Sequence, residues 1–197
     1  MTSRPADPPG GSINIPDPPA ISSFFSNTRW AWLWLIARLY VGWTWLSSGL
    51  GKIGNPAWVQ TGDALRGFWE RAAAIPEAPA RPAIAFDWYR AFIQGMLDTQ
   101  AYTWFAKLIA VGELLIGLAL ILGAFTGIAA FLGGFMNWNF MMAGTASINP
   151  VLYTLSILLM LAWKTAGWWG LDRWLLPLLG VPWQPGRLFR RGGTGSP

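Results

Sequence analysis

Residues 104–122, WFAKLIAVGELLIGLALIL, form an apolar run about as long as the ~20-residue helix that crosses ~30 Å of hydrocarbon. A lone segment in lipid has to satisfy its backbone internally, so a run of this kind can only be helical. Three others resemble it: residues 30–50, 126–143 and the shorter 150–163. Apolar residues make up 53% of the chain and charged ones 12%, against roughly 25% charged in a soluble domain. There are 15 Trp, several at the ends of the runs, where an interfacial belt is expected. The fold class expected is an all-α membrane protein, a four-transmembrane-helix antiparallel bundle.

The connections are unequal. Phe125-Thr126-Gly127 and the stretch Gly144 to Asn149 are tight, so the second, third and fourth spans should run up and down beside one another. Residues 53–103 form a long loop, in which NPAWVQTGDALRGFWERAAAIP and FDWYRAFIQGMLDTQ have amphipathic helical spacing. These loop helices should lie over one mouth of the bundle. Residues 1–23, rich in Pro, Gly and Ser, read as a disordered tail, followed by a membrane domain over 24–176 and an interfacial, basic tail over 177–197. No short apolar core follows a basic start, so the first span is expected to remain as an anchor. Asn149-Pro150 should start the fourth span and Asp172 should cap a short surface helix. Lys164, Arg173, Arg187, Arg190 and Arg191, with Arg29, place both termini on the cytoplasmic side of an inner membrane and the long loop outside.

Two spans carry a full charge near their middle, Arg38 on the first and Glu113 on the second. A central charge costs about 2.5–3.5 kcal/mol on insertion scales, so such residues usually pair or line a pathway. Helix rise puts Arg38 about 13–14 Å beyond Arg29, and Glu113 about 13–14 Å beyond Trp104 on a descending helix. An Arg38–Glu113 pair near the midplane follows from that arithmetic. It either lines a ligand cavity or only joins the two helices.

Val41, Gly42, Trp45, Gly49 and Lys52 share the face of Arg38, and Gly117 shares that of Glu113. The glycines either pack helices closely or leave room for a flat ligand. Trp45 is either core or a stacking surface, and Lys52 either a snorkelling anchor or a guide for an anionic substrate. In GGFMNWNFMM, Asn137 and Asn139 should avoid lipid and point to different sides, one to the interior and one to a neighbouring helix or partner. There is no Cys and no His, which removes thiolate, iron–sulfur and the usual haem and metal ligation within the chain. Electrons would have to sit on an organic cofactor, a substrate or a partner. A net charge of +5, not gathered on one face, gives no nucleic-acid surface.

RLYVGWTWLSSGLGKIGNPAW, TGDALRGFW, VGELLIGLALILG and NWNFMMAGTASINPVLYTLSILLMLAWKTAGWWGLDRWL, in this order, resemble the DoxD/DoxX family of small four-helix membrane proteins over about residues 28–176. The long loop looks closer to the DoxD branch. The resemblance implies a membrane subunit of a thiosulfate:quinone oxidoreductase, with a DoxA-like subunit as a separate partner. It would bind a quinone between spans one to three, with Trp45 or Trp138 stacking on the ring and Arg38, Asn137 or Asn139 bonding a carbonyl. Arg38 and Lys52 would stabilise negative charge or attract a sulfur oxyanion, and Glu113 would serve the protons. The competing reading is a cofactor-free accessory subunit of a larger membrane electron-transfer or photosynthetic complex, in which Arg38–Glu113 only sets the register.

Overall fold

The computed structural model describes residues 15–181, and every regular element among them is helical. The Pro-rich segment up to residue 14 and the basic tail with Arg187, Arg190 and Arg191 lie outside the described residues. The chain forms α1 (Pro19–Ser26), α2 (Ala31–Ile53), α3 (Pro56–Val59), α4 (Asp63–Ala73) and α5 (Asp87–Asp98). It continues as α6 (Tyr102–Leu122), α7 (Thr126–Met142), α8 (Asn149–Leu161), α9 (Trp163–Ala166) and α10 (Asp172–Leu179). The four expected spans thus correspond to α2, α6, α7 and α8. Among the described residues, only α6 is by itself long and apolar enough to cross a membrane.

Residues 19–23, expected in a disordered tail, instead begin α1. The reason is aromatic. Phe24 and Phe25 pack on Trp34 with ring centroids 4.9 and 5.4 Å apart, and Trp34 Nε1 donates to the Phe24 carbonyl. Thr165 Oγ1 of α9 donates to the Phe25 carbonyl at 2.8 Å, so α1 is tied to the far end of the chain.

α2 packs along α6, α6 on α7, α7 on α8, and α8 returns to α2. Close backbone approach sets the α2–α6 register. A Cβ on Gly49 would lie 2.6 Å from the Leu114 nitrogen, and one on Gly117 would collide with the Leu46 backbone. Gly42 faces Leu120 and Ile121, so the two helices run antiparallel. The glycines therefore pack helices, the first of the two roles expected of them. A core of Trp34, Val41, Trp45, Ile116, Leu120, Leu152 and Leu159 fills the space between these helices.

The loop helices build a second core at the opposite end from α1. Leu65 and Trp69 of α4 and Tyr89 and Ile93 of α5 meet Ala106, Ile109 and Ala143, with Met136 and Phe140 shared between both cores. Gly62, at φ 82°, lets the chain turn into α4 against the Tyr102 carbonyl, where a Cβ would collide. On the outside, Ile36, Trp43, Leu108, Leu115, Phe131, Phe135, Val151 and Leu161 are exposed. An apolar surface of that extent is foreign to a soluble monomer.

Candidate functional site

The two central charges do not meet. Glu113, 1% exposed, receives Lys52 Nζ at 2.7 Å, and the same ammonium donates to Ser48 Oγ at 2.7 Å. The expected Arg38–Glu113 pair is therefore wrong, and the α2–α6 register explains why. With Gly42 opposite Leu120 and Gly49 opposite Leu114, Glu113 stands level with the Ser48–Lys52 turn. Arg38 lies some three turns away, about 16 Å along the axis. The depth arithmetic took Arg29 and Trp104 as opposite membrane edges, whereas helix contact, not the flanking residues, decides the pairing.

Lys52 is no snorkelling anchor. Its side chain is 17% exposed, and its ammonium sits 5.0 Å from the centre of the Trp58 ring on α3. Asn55 positions that ring by accepting from the Ala57 N–H, which starts α3 immediately after α2. The Ser48–Lys52 spacing, one helical turn, was the sequence signal for this cluster. Trp58 could be found only by folding the turn.

Arg38 belongs to the other end. It is 1% exposed, and its Nη2 donates to the Trp169 carbonyl at 3.3 Å. Its guanidinium fills the space between Gly123 and Gly170, where any Cβ would strike Nη1. Beside it Asp172 accepts from Phe125 N at 2.6 Å and Thr126 N at 2.9 Å. Asp172 thus caps α7, not the surface helix α10, which begins without a side-chain cap. The Leu171 and Asp172 amides close on the Leu122 and Gly123 carbonyls at the end of α6. A cation at a helix C-terminus and an acid at the next N-terminus suit both helix dipoles.

A third feature is a groove of about 540 Å³ between α4, α5, α6 and α7. Phe105, Leu108, Gly112, Leu115 and Ile116 form one wall, Ala129, Leu132 and Met136 the other, with Trp69 and Ile93 at the loop-helix end. Its polar groups are Tyr89 and Asn139. The Tyr89 hydroxyl donates to Asn139, 3.1 Å from the carbonyl and 3.2 Å from Oδ1. Asn139 Nδ2 donates to the Phe135 carbonyl at 2.8 Å. Burial pushes the Tyr89 phenol above its ordinary range, which keeps it a donor.

Of the expected site residues, only Asn139 lines this groove. Trp138 borders it indirectly, edge-on to Tyr89 with centroids 6.4 Å apart. Gly49 and Gly117 are helix contacts, and Trp45 is core, with its Nε1 against Gly133. Asn137 is fully buried in the interior and Asn139 turns to α5, so the two amides do point to different sides. Sequence reasoning missed Tyr89, although its place with Ile93 on the apolar face of α5 was legible.

No curated protein and no solved structure gives a match to the chain. The DoxX family profile matches residues 33–147, which takes in α2 from Leu33, all of α3 to α7, Lys52, Glu113 and the whole lining of the groove. With the match covering more than half of its length, the chain belongs to the DoxX family.

Proposed function

We propose that this protein is the membrane subunit of a quinone-linked oxidoreductase, and that the groove between α6 and α7 receives the quinone. All four of α2, α6, α7 and α8 cross the membrane in this reading, in an inner membrane with both termini on the cytoplasmic side. The single observation that carries it is an open apolar slot ending in one hydroxyl and one amide. Its volume is that of a small-ligand site, where apolar walls give affinity and a few polar groups fix orientation. Tyr89 would turn its single O–H from Asn139 to a quinone carbonyl, Asn139 would stay held by its Nδ2–Phe135 bond, and the walls would take the ring and the start of an isoprenoid tail. A bound quinone would supply two-electron acceptance. A DoxA-like partner and thiosulfate as donor, the DoxD form of the reading, rest on the resemblance of the long loop.

The buried charges enter this reading as scaffold. Lys52–Glu113 lies on the α2 side of α6, and Arg38 sits at the α6–α7 turn, so neither lines the groove. That enclosure also favours the accessory-subunit reading, in which the bundle carries no cofactor. Titrating a short-tail quinone into the purified chain in nanodiscs, with tryptophan fluorescence as readout, separates the two. Saturable quenching that Gly112→Phe abolishes, and that Tyr89→Phe weakens about five-fold for one lost hydrogen bond, supports the quinone site. Wild-type protein without saturable quenching would leave only the accessory role.

A further inference from the structure

A second cleft, about 230 Å³, opens at the α1 end, between the α1–α2 junction and the α9–α10 segment. Its walls present Ser26 and Thr28 on one side and Lys164 and Arg173 on the other. Both cations are braced on indoles. Lys164 Nζ is 5.8 Å from the Trp163 ring centre and the Arg173 guanidinium 5.3 Å from that of Trp168. Neither is in an ion pair among the described residues. Asp172 also borders the cleft, but both its carboxylate oxygens are taken by the Phe125 and Thr126 amides. The cleft is thus a two-cation, two-hydroxyl pocket whose one acid is already engaged.

We propose that this cleft binds the headgroup phosphate of an anionic phospholipid, held by Lys164 and Arg173 with Ser26 and Thr28 as hydroxyl donors. Three features select a lipid over a free anion. Leu176, Pro177 and Val181 give the cleft an apolar flank, where acyl chains would leave the headgroup. Trp169 and Trp174 are exposed at the same end, as in an interfacial belt. The apolar ends of α6 and α7, Leu122, Phe125 and Ile128, are exposed at this level. A bound lipid would clip α1 to α9 beside the Thr165–Phe25 bond, and so brace the Asp172 cap next door. The inference rests on the membrane placement of this chain and not on the quinone.

Native mass spectrometry of the full chain, offered phosphatidylglycerol and phosphatidylcholine with identical acyl chains, tests it. The wild type should retain phosphatidylglycerol selectively. Lys164→Gln/Arg173→Gln should bind it about 30-fold more weakly, from the usual contribution of two basic side chains at an anionic surface. Lys164→Arg/Arg173→Lys should keep the selectivity. Ser26→Trp, which fills the cleft and keeps both charges, should lose it, so the test survives a double variant that fails to fold. Equal retention of the two lipids by the wild type would overturn the proposal, as would selectivity that persists in both the Gln double variant and Ser26→Trp. Displacement of phosphatidylglycerol by millimolar inorganic phosphate would reassign the cleft to free anions. Quinone quenching measured on the same samples should be unchanged, which separates failure here from failure of the groove.

Discussion

The Lys52–Glu113 and Arg38–Asp172 ends each bury a cation and an acid, but they satisfy them in different ways. At the first, an ammonium and a carboxylate from adjacent helices meet directly, and the acid has no backbone donor. At the second, the acid is held by two backbone amides, while Arg38 makes one long hydrogen bond and leaves Nε and Nη1 without a partner. A side-chain pair fails when either member is lost. A backbone-capped acid survives the loss of its neighbouring cation.

This difference is open to mutation. Lys52→Met should have the largest effect, about 3–5 kcal/mol, because it strands Glu113 in the interior. Lys52→Met/Glu113→Leu should recover most of that loss in denaturant or thermal unfolding in detergent, and a double variant as weak as the single would disprove the pairing. Asp172→Ala should cost about 2 kcal/mol, since it removes the α7 cap. Asp172→Asn, which keeps one oxygen acceptor, should cost less. Arg38→Met should cost only about 1 kcal/mol, the value of its single bond to Trp169. Unfolding as severe as that of Lys52→Met would show that Arg38 and Asp172 act as a pair after all. Glu70→Gln is the control and should stay within about 0.5 kcal/mol, because the Arg66–Glu70 bridge is exposed on α4.

Gly117→Leu sharpens the comparison along the helix pair. The new side chain would meet the Leu46 backbone, push α2 from α6 and cost about 1–3 kcal/mol. Loss of the Lys52–Glu113 contact should accompany it, measurable as coupling lost in a double-mutant cycle. Additivity of Gly117→Leu with Lys52→Met would argue that the register is set elsewhere.

Much of this was legible in residue order. Apolar runs bounded by Trp, tight turns at 123–127 and 144–149, and Pro150 in the first turn mark α6, α7 and α8 within a residue or two. The amphipathic spacing gives α4 and α5 and the side on which they lie, but it reads residues 56–73 as one helix where the chain breaks at Gly62 into α3 and α4. The opposed amides of Asn137 and Asn139 follow from helical period alone. These are local properties, governed by backbone hydrogen bonding and the spacing of apolar side chains over a few turns.

Partner choice among the buried charges was not local. Lys52 rather than Arg38 reaches Glu113 because Gly49 and Gly117 let two backbones touch at one register, and only a shift of about three turns would have brought Arg38 level with Glu113 instead. Asp172 caps α7 across 46 residues of chain because the segment after α9 folds back on the α6–α7 turn. The groove likewise needs α4 and α5 docked over a gap between α6 and α7. The sequence by itself determined where the long apolar helices run, which faces are apolar and which charges must be hidden, but not α1, which forms only because its aromatics find Trp34. Tertiary structure alone decided which hidden charge meets which, because that depends on backbone contact distances between helices far apart in the chain.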